Sequence, residues 1–155
     1  MFTRKLLPVS NSALKPSLPE IRNSVSRSTF TLMTYNMLSP YYMWPQVYTY
    51  VPEKYKDWSY RHRLLEREIL NLYRADIMCV QELTCKDYEG FWKNHFKTKM
   101  NYGSSYIAKT PPKYWKRPED EMDGVGIFYN LNKFEHISTS SIYLNDLIGL
   151  FNISE

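Results

Sequence analysis

The sequence predicts an α/β fold, and three observations carry that expectation. Short apolar or alternating runs rich in β-branched and aromatic residues recur along the chain. Between them lie two stretches whose apolar residues return every three or four positions, the period of a helix with one buried face. The length, 155 residues, suits one ordinary domain at most, and 43% hydrophobic with 23% charged residues suits a packed globular core.

Residues 1–29 differ in kind from the rest of the chain. They hold Arg4, Lys5, Lys15, Arg22 and Arg27 against Glu20 alone, with Ser10, Ser12, Ser17, Ser24, Ser26 and Ser28. A basic, Ser-rich, acid-poor leader is the composition of a mitochondrial transit peptide; a tail without an address, on a cytoplasmic protein, is the alternative. Pro8, Pro16 and Pro19 prevent one long helix there. The net charge of +4 comes wholly from this leader. The body, residues 30–155, balances its charges, so it is not a general basic nucleic-acid binder, and phosphate contacts must come from a local cluster. No run of about 20 apolar residues is present, so no membrane span is expected.

Phe30 to Tyr35 alternates as a strand, with Asn36 at its end. Ser39-Pro40 opens a proline-punctuated loop over residues 40–58 holding seven aromatic rings. A packing shell and a platform for stacked bases are both open readings of it. A helix comes next, from Asp57 or Ser59 to Tyr73, with Leu65, Ile69 and Leu72 on one face and Leu64 beside them. Ala75 to Val80 reads as a buried strand that Gln81-Glu82 ends. Thr84 with Asp87 resembles a capping box, and Tyr88, Phe91, Trp92, His95 and Phe96 give a second amphipathic helix. Tyr102 to Lys109 is the next strand, succeeded by a polar loop over 110–122. Asp123-Gly124 turns into a strand over Val125–Tyr129, and Phe134 to Tyr143 is expected to pair back as a hairpin. Cys79 and Cys85 make no disulfide framework, and His62, His95 and His136 lie too far apart for a zinc pattern. His95, on an apolar face, reads as a core or boundary residue.

Chemistry is expected where two strands end in polar residues, at Asn36 and Glu82, because α/β sheets build sites outside the carboxyl ends of their strands. If those strands are parallel neighbours, the two side chains share one cleft. A carboxylate with a neutral amide suits a hard cation such as Mg2+, which keeps waters and takes substrate phosphate oxygens. Two polar strand ends facing solvent is the plain alternative.

Thr34-Tyr35-Asn36-Met37-Leu38, Trp58-x-x-Arg61, Val80-Gln81-Glu82 and Asp123-Gly124-x-x-Ile127-Phe128 occur in one order. That order resembles the endonuclease/exonuclease/phosphatase superfamily, in particular the carbon-catabolite-repressor-type deadenylases and their nocturnin and angel relatives, over about residues 30–143. The resemblance implies two packed sheets with helices outside, with this chain as the N-terminal half of the catalytic domain. It implies Glu82 as the magnesium ligand, and Asn36 and Asp123 as catalytic residues, Asp123 supporting the site rather than binding metal. It also implies hydrolysis of RNA phosphodiesters from the 3′ end, often in poly(A). A small nucleotide or lipid headgroup as substrate, or a non-enzymatic remnant that binds RNA or a partner, are the alternatives. The later family motifs, a His, a Gly-Asp-x-Asn segment and a Ser-Asp-His, are missing from these 155 residues. The chain alone is therefore expected to be unstable or inactive. Lys109, Lys113, Lys116 and Arg117, with Trp115 among them, form the expected RNA-contact cluster, although Glu119-Asp120-Glu121 offsets its field and a solvated loop fits as well.

Overall fold

The computed structural model describes residues 30–148. The leader, with its transit-peptide reading, and residues 149–155 lie outside them. Four strands, β1 (Leu32–Asn36), β2 (Ile77–Thr84), β3 (Tyr102–Ala108) and β4 (Asp123–Asn130), form one sheet in the order β1-β2-β4-β3. β1 runs parallel to β2, and β4 is antiparallel to both β2 and β3. A parallel pair needs a crossover, which helix α1 (residues 58–72) supplies. Helix α2 (residues 85–100) connects β2 to β3.

Asp57 caps α1 by accepting from the Tyr60 N–H at 2.8 Å. Its second half, Arg67–Leu72, winds in wider π-type turns. That widening corrects the expected face. Leu65, Ile69 and Leu70 are buried, whereas Leu64 and Leu72 are over 40% exposed, because the smaller rotation per residue in π-type turns swings Leu70 inward and Leu72 outward. Thr84 caps α2 as expected, accepting from the Asp87 N–H at 3.0 Å and donating to its carboxylate at 2.6 Å. Asn101 closes α2 in the left-handed region at φ 57, where Asn is tolerated.

The core lies between the two helices and one face of the sheet. Trp92 and Phe96 of α2 are 1% exposed, and Phe96 stacks on Phe128 of β4 with ring centres 3.8 Å apart. Met78, Val80 and Leu83 of β2 complete that layer. The opposite face is open and apolar, with Leu32, Val125 and Ile127 exposed. Phe134 to Tyr143 forms no hairpin. It lies along this side without regular structure, the His136 ring stacked on Tyr129 and Thr139 bonded to Ser105 at 3.0 Å. Its Ser138-Thr139-Ser140-Ser141 run lacks the alternation a paired strand needs.

His62 of α1 sits among the rings of Trp58, Phe91 and Trp92, with centres 5.4, 4.4 and 5.3 Å away. Burial lowers its pKa, opposed by the fields of Asp87 and Glu66 and assisted by His95. A folded-state pKa below the unfolded one gives stability that is complete above about pH 6.5 and is lost as pH falls through the folded value. The unfolding midpoint is therefore expected to drop between pH 7 and pH 5, and His62→Phe to flatten that drop in denaturant melts.

Candidate functional site

Glu82 lies on a β-bulge. β2 pairs with β4 as Gln81↔Val125 and then Leu83↔Gly124, which leaves Glu82 as the extra residue. Strict alternation after Met78 and Val80 would turn residue 82 toward the helices. The bulge sends Leu83 inward instead and leaves Glu82 half-buried at the sheet end. β2 therefore does not stop at Gln81-Glu82, as the apolar run suggests, but continues to Thr84. Glu82 takes the left-handed region at φ 55, a cost of about 1–2 kcal/mol for a residue with a Cβ. Strain of this kind persists where surrounding contacts over-determine it.

Those contacts come from the end of β1. Asn36 Nδ2 donates to Glu82 Oε1 at 2.7 Å, and the Ser39 N–H donates to Oε2 at 3.2 Å. Asn36 Oδ1 accepts from the Leu38 N–H at 2.7 Å, and Leu38 is itself left-handed at φ 51. Asn36 and Glu82 thus share one cleft, on parallel neighbouring strands. Each carboxylate oxygen accepts one hydrogen bond from these groups, which leaves lone pairs for a further ligand.

Asp123 opens β4 within the strand rather than in a turn before it, opposite Thr84. It is 1% exposed and held from two sides. Tyr42 Oη donates to Oδ1 at 2.5 Å, and Lys109 Nζ lies 2.6 Å from Oδ2. Burial, and then the bond to Asp123, push the Tyr42 hydroxyl pKa well up, so it stays a donor. Tyr42→Phe leaves the buried carboxylate with Lys109 alone. The expected loss is about 1–3 kcal/mol of stability, read from thermal melts. Asp123 thus accepts a hydrogen bond at Oδ1 and is ion-paired at Oδ2.

Magnesium asks little of a protein: one or two carboxylates, the rest of its shell being water and phosphate. Glu82, oriented and with free lone pairs, fits that demand. Among the described residues no three His, Cys, Asp or Glu side chains gather as a metal cage. Glu82 would then be a single protein ligand in such a shell. His95 stacks on Phe91 with ring centres 3.7 Å apart and bonds the Phe91 carbonyl at 2.9 Å, a packing role.

The basic cluster divides. Lys109 is bound to Asp123. Arg117 lies 4.8 Å from the centre of the Tyr41 ring and 3.7 Å from Glu121. Lys113 and Lys116 are exposed. Trp115 meets Tyr41 edge-on at 6.4 Å, and burial with the nearby Glu121 pushes the Tyr41 hydroxyl pKa up to about 12. Tyr41, Tyr42, Lys109, Trp115, Arg117 and Tyr143 line a cleft of about 910 Å³. Of the other rings of the 40–58 loop, Tyr48 pairs with Tyr50, and Tyr55 packs on Tyr60 of α1. Ser39 and Tyr42 carry no assigned role on sequence grounds. Ser39, at a turn start, gives a weak signal as a cap, and Tyr42 gives none among seven rings.

A profile of the Endonuclease/Exonuclease/phosphatase family matches residues 33–154. The chain is 59% identical over all 155 residues to RNA exonuclease NGL1 of Saccharomyces cerevisiae, covering 42% of that protein. It is 33% identical over 132 residues to the CCR4-Not complex 3′-5′-exoribonuclease subunit Ccr4 of Candida glabrata, covering 84% of this chain and 14% of that one. The chain therefore spans about two fifths of the first relative and a smaller part of the second. Among solved structures, ANGEL2, a 2′,3′-cyclic phosphatase, shares the fold with a TM-score of 0.57 and 24% identity, over 70% of this chain and 29% of that one. No helix among the described residues is long and apolar enough to cross a membrane. With the profile running from β1 beyond the last described residue, and the four motifs falling on β1, α1, β2 and β4, the chain belongs to the endonuclease/exonuclease/phosphatase family.

Proposed function

We propose that this chain supplies the metal-holding side of a magnesium-dependent phosphodiesterase that shortens RNA from its 3′ end. The observation that carries the reading is the Glu82 carboxylate, set on a strained bulge and held by Asn36 and Ser39. Asn36 keeps the carboxylate turned outward, and Asp123 holds Lys109 beside the cleft. Magnesium, when bound at Glu82, would polarise the phosphoryl group and stabilise the leaving oxygen. Lys113 and Lys116 supply exposed charge for the RNA backbone, and Trp115, with Tyr41 beside it, a ring face for a base. Lys109 and Arg117 meet RNA only by giving up part of their present pairing. The open apolar face supports the finer architectural reading, half of a two-sheet sandwich whose second sheet covers Val125 and Ile127.

The test replaces the matching segment of the yeast RNA exonuclease with this chain. The chimera, given a labelled oligonucleotide, is expected to produce a ladder one nucleotide apart with magnesium and none with a chelator. A folded chimera that leaves RNA intact while its parent shortens it would overturn the reading.

A further inference from the structure

Trp58-x-x-Arg61 is the one ordered motif without an assigned task, and its arginine lies beneath the turn that grips Glu82. Arg61 is half-buried on α1. Its Nη2 donates to the carbonyl of Met37 at 3.0 Å and to the carbonyl of Leu38. A guanidinium withdrawn from water ordinarily seeks a carboxylate. Here it meets two backbone carbonyls of the chain segment that delivers Asn36 and Ser39 to Glu82. We propose that Arg61 is a positioning residue for Glu82, acting through the backbone of residues 37–39. The inference rests on Glu82 being the metal carboxylate.

The geometry forms a continuous path. Trp58, three positions earlier on the same helix face, places its ring 5.2 Å from the guanidinium carbon, which limits where the fork can swing. The indole Nε1 of Trp58 is tied to Asp87 at the start of α2 at 3.3 Å. Arg61 then holds the two carbonyls. Leu38, between them and Ser39, sits in the left-handed region, where a residue with a Cβ does not stay unaided. Asn36 Oδ1 grips its N–H from one side, and Arg61 grips its carbonyl from the other. The next N–H along, that of Ser39, reaches Glu82 Oε2. Met37 is also fixed by its N–H to the Gln81 carbonyl at 2.9 Å, so the turn is tied to β2 at Gln81 as well as at Glu82. Burial lowers the Arg61 pKa, and the fields of Tyr48, then Glu82 and Tyr35, oppose it. Two left-handed residues, Leu38 and Glu82, are thereby locked together, and Arg61 is the only side-chain cation holding the first of them among the described residues.

The test is amide hydrogen exchange by NMR on the full 155-residue chain, with manganese ion as the metal probe. Arg61→Met is expected to speed exchange at the Ser39 amide about tenfold and to shift the Asn36 side-chain amide, while Val80 and Leu83 keep their rates. Manganese affinity is expected to fall about tenfold, the loss usual when a group orienting a ligand is removed. Should that variant lose the fold, Arg61→Lys decides. It keeps the charge but not the fork, and the same local release with an unchanged β2 is expected. Ser39 and Asn36 signals like wild type, or an equal rise across all β2 amides, would overturn the inference. The exchange readout needs no metal. If manganese binds the Glu82→Gln chain as it binds wild type, the metal reading fails, and the exchange data still judge Arg61.

Discussion

Glu82→Gln is expected to cut RNA shortening by the chimera by roughly 10² to 10³, the worth of several kcal/mol of metal-borne charge stabilisation. The substitution is nearly isosteric. Glutamine Oε1 can still accept from Asn36 or Ser39, while its amide nitrogen faces the other donor, so the fold should hold with a loss of about 1 kcal/mol. What disappears is the anionic oxygen that a hard cation requires. Raising magnesium should recover only part of the rate, since the lost ligand belongs to the protein. The measurement is initial rate against magnesium concentration for both proteins. An unchanged rate and metal dependence would remove Glu82 from the chemistry.

Gly124→Ala is expected to cost about 3 kcal/mol or more, the upper range for forcing atoms into a packed site. A Cβ on Gly124 would lie 2.0 Å from the Ile107 carbonyl oxygen and 2.7 Å from the Ala108 Cα. Both are backbone atoms of the paired strand β3, so no side chain can swing aside. β3 and β4 would separate at the end where Asp123 is held, taking Lys109 with them, because the Lys109 N–H bonds the Asp123 carbonyl at 2.9 Å. In the Asp-Gly pair, the glycine lets β3 approach next to the buried aspartate. Gly90 provides the control. A Cβ there meets nothing within 4 Å, and the position is helical, so Gly90→Ala should stabilise by about 0.5–1 kcal/mol. Denaturant midpoints of the two variants should move in opposite directions.

Local pattern made much of this fold legible. The four strand runs, the presence of two helices and the Asp57 and Thr84 caps depend on residues a few positions apart, and these fall where their chemistry indicates. The meeting of Asn36 and Glu82 was legible too, since parallel strands with polar ends bring those ends together. The bulge was not. It depends on how β2 registers against β4, some forty residues away, and an apolar run ending in Gln-Glu looks like a strand that simply stops. The π-type turns of α1 were equally hidden, because helix periodicity assumes a constant turn. That is why Leu70 rather than Leu72 is in the core. The polar 138–141 run, read as part of a hairpin, shows how little β-propensity means without a partner strand. In the site, the pairing of Lys109 with Asp123 joins residues that a count of nearby charges does not connect. Arg61 stood in a motif whose purpose became visible only once Leu38 was seen in the left-handed region.

Everything proposed for this site turns on Glu82, gripped by Asn36 and Ser39, being the carboxylate to which a divalent metal binds. Paramagnetic broadening by manganese on the isotope-labelled chain tests it most directly. The Ser39 amide, the Asn36 side-chain amide and the amides of residues 81–83 are expected to broaden first, and Glu82→Gln to abolish this. Broadening centred elsewhere, or unchanged in Glu82→Gln, would contradict it.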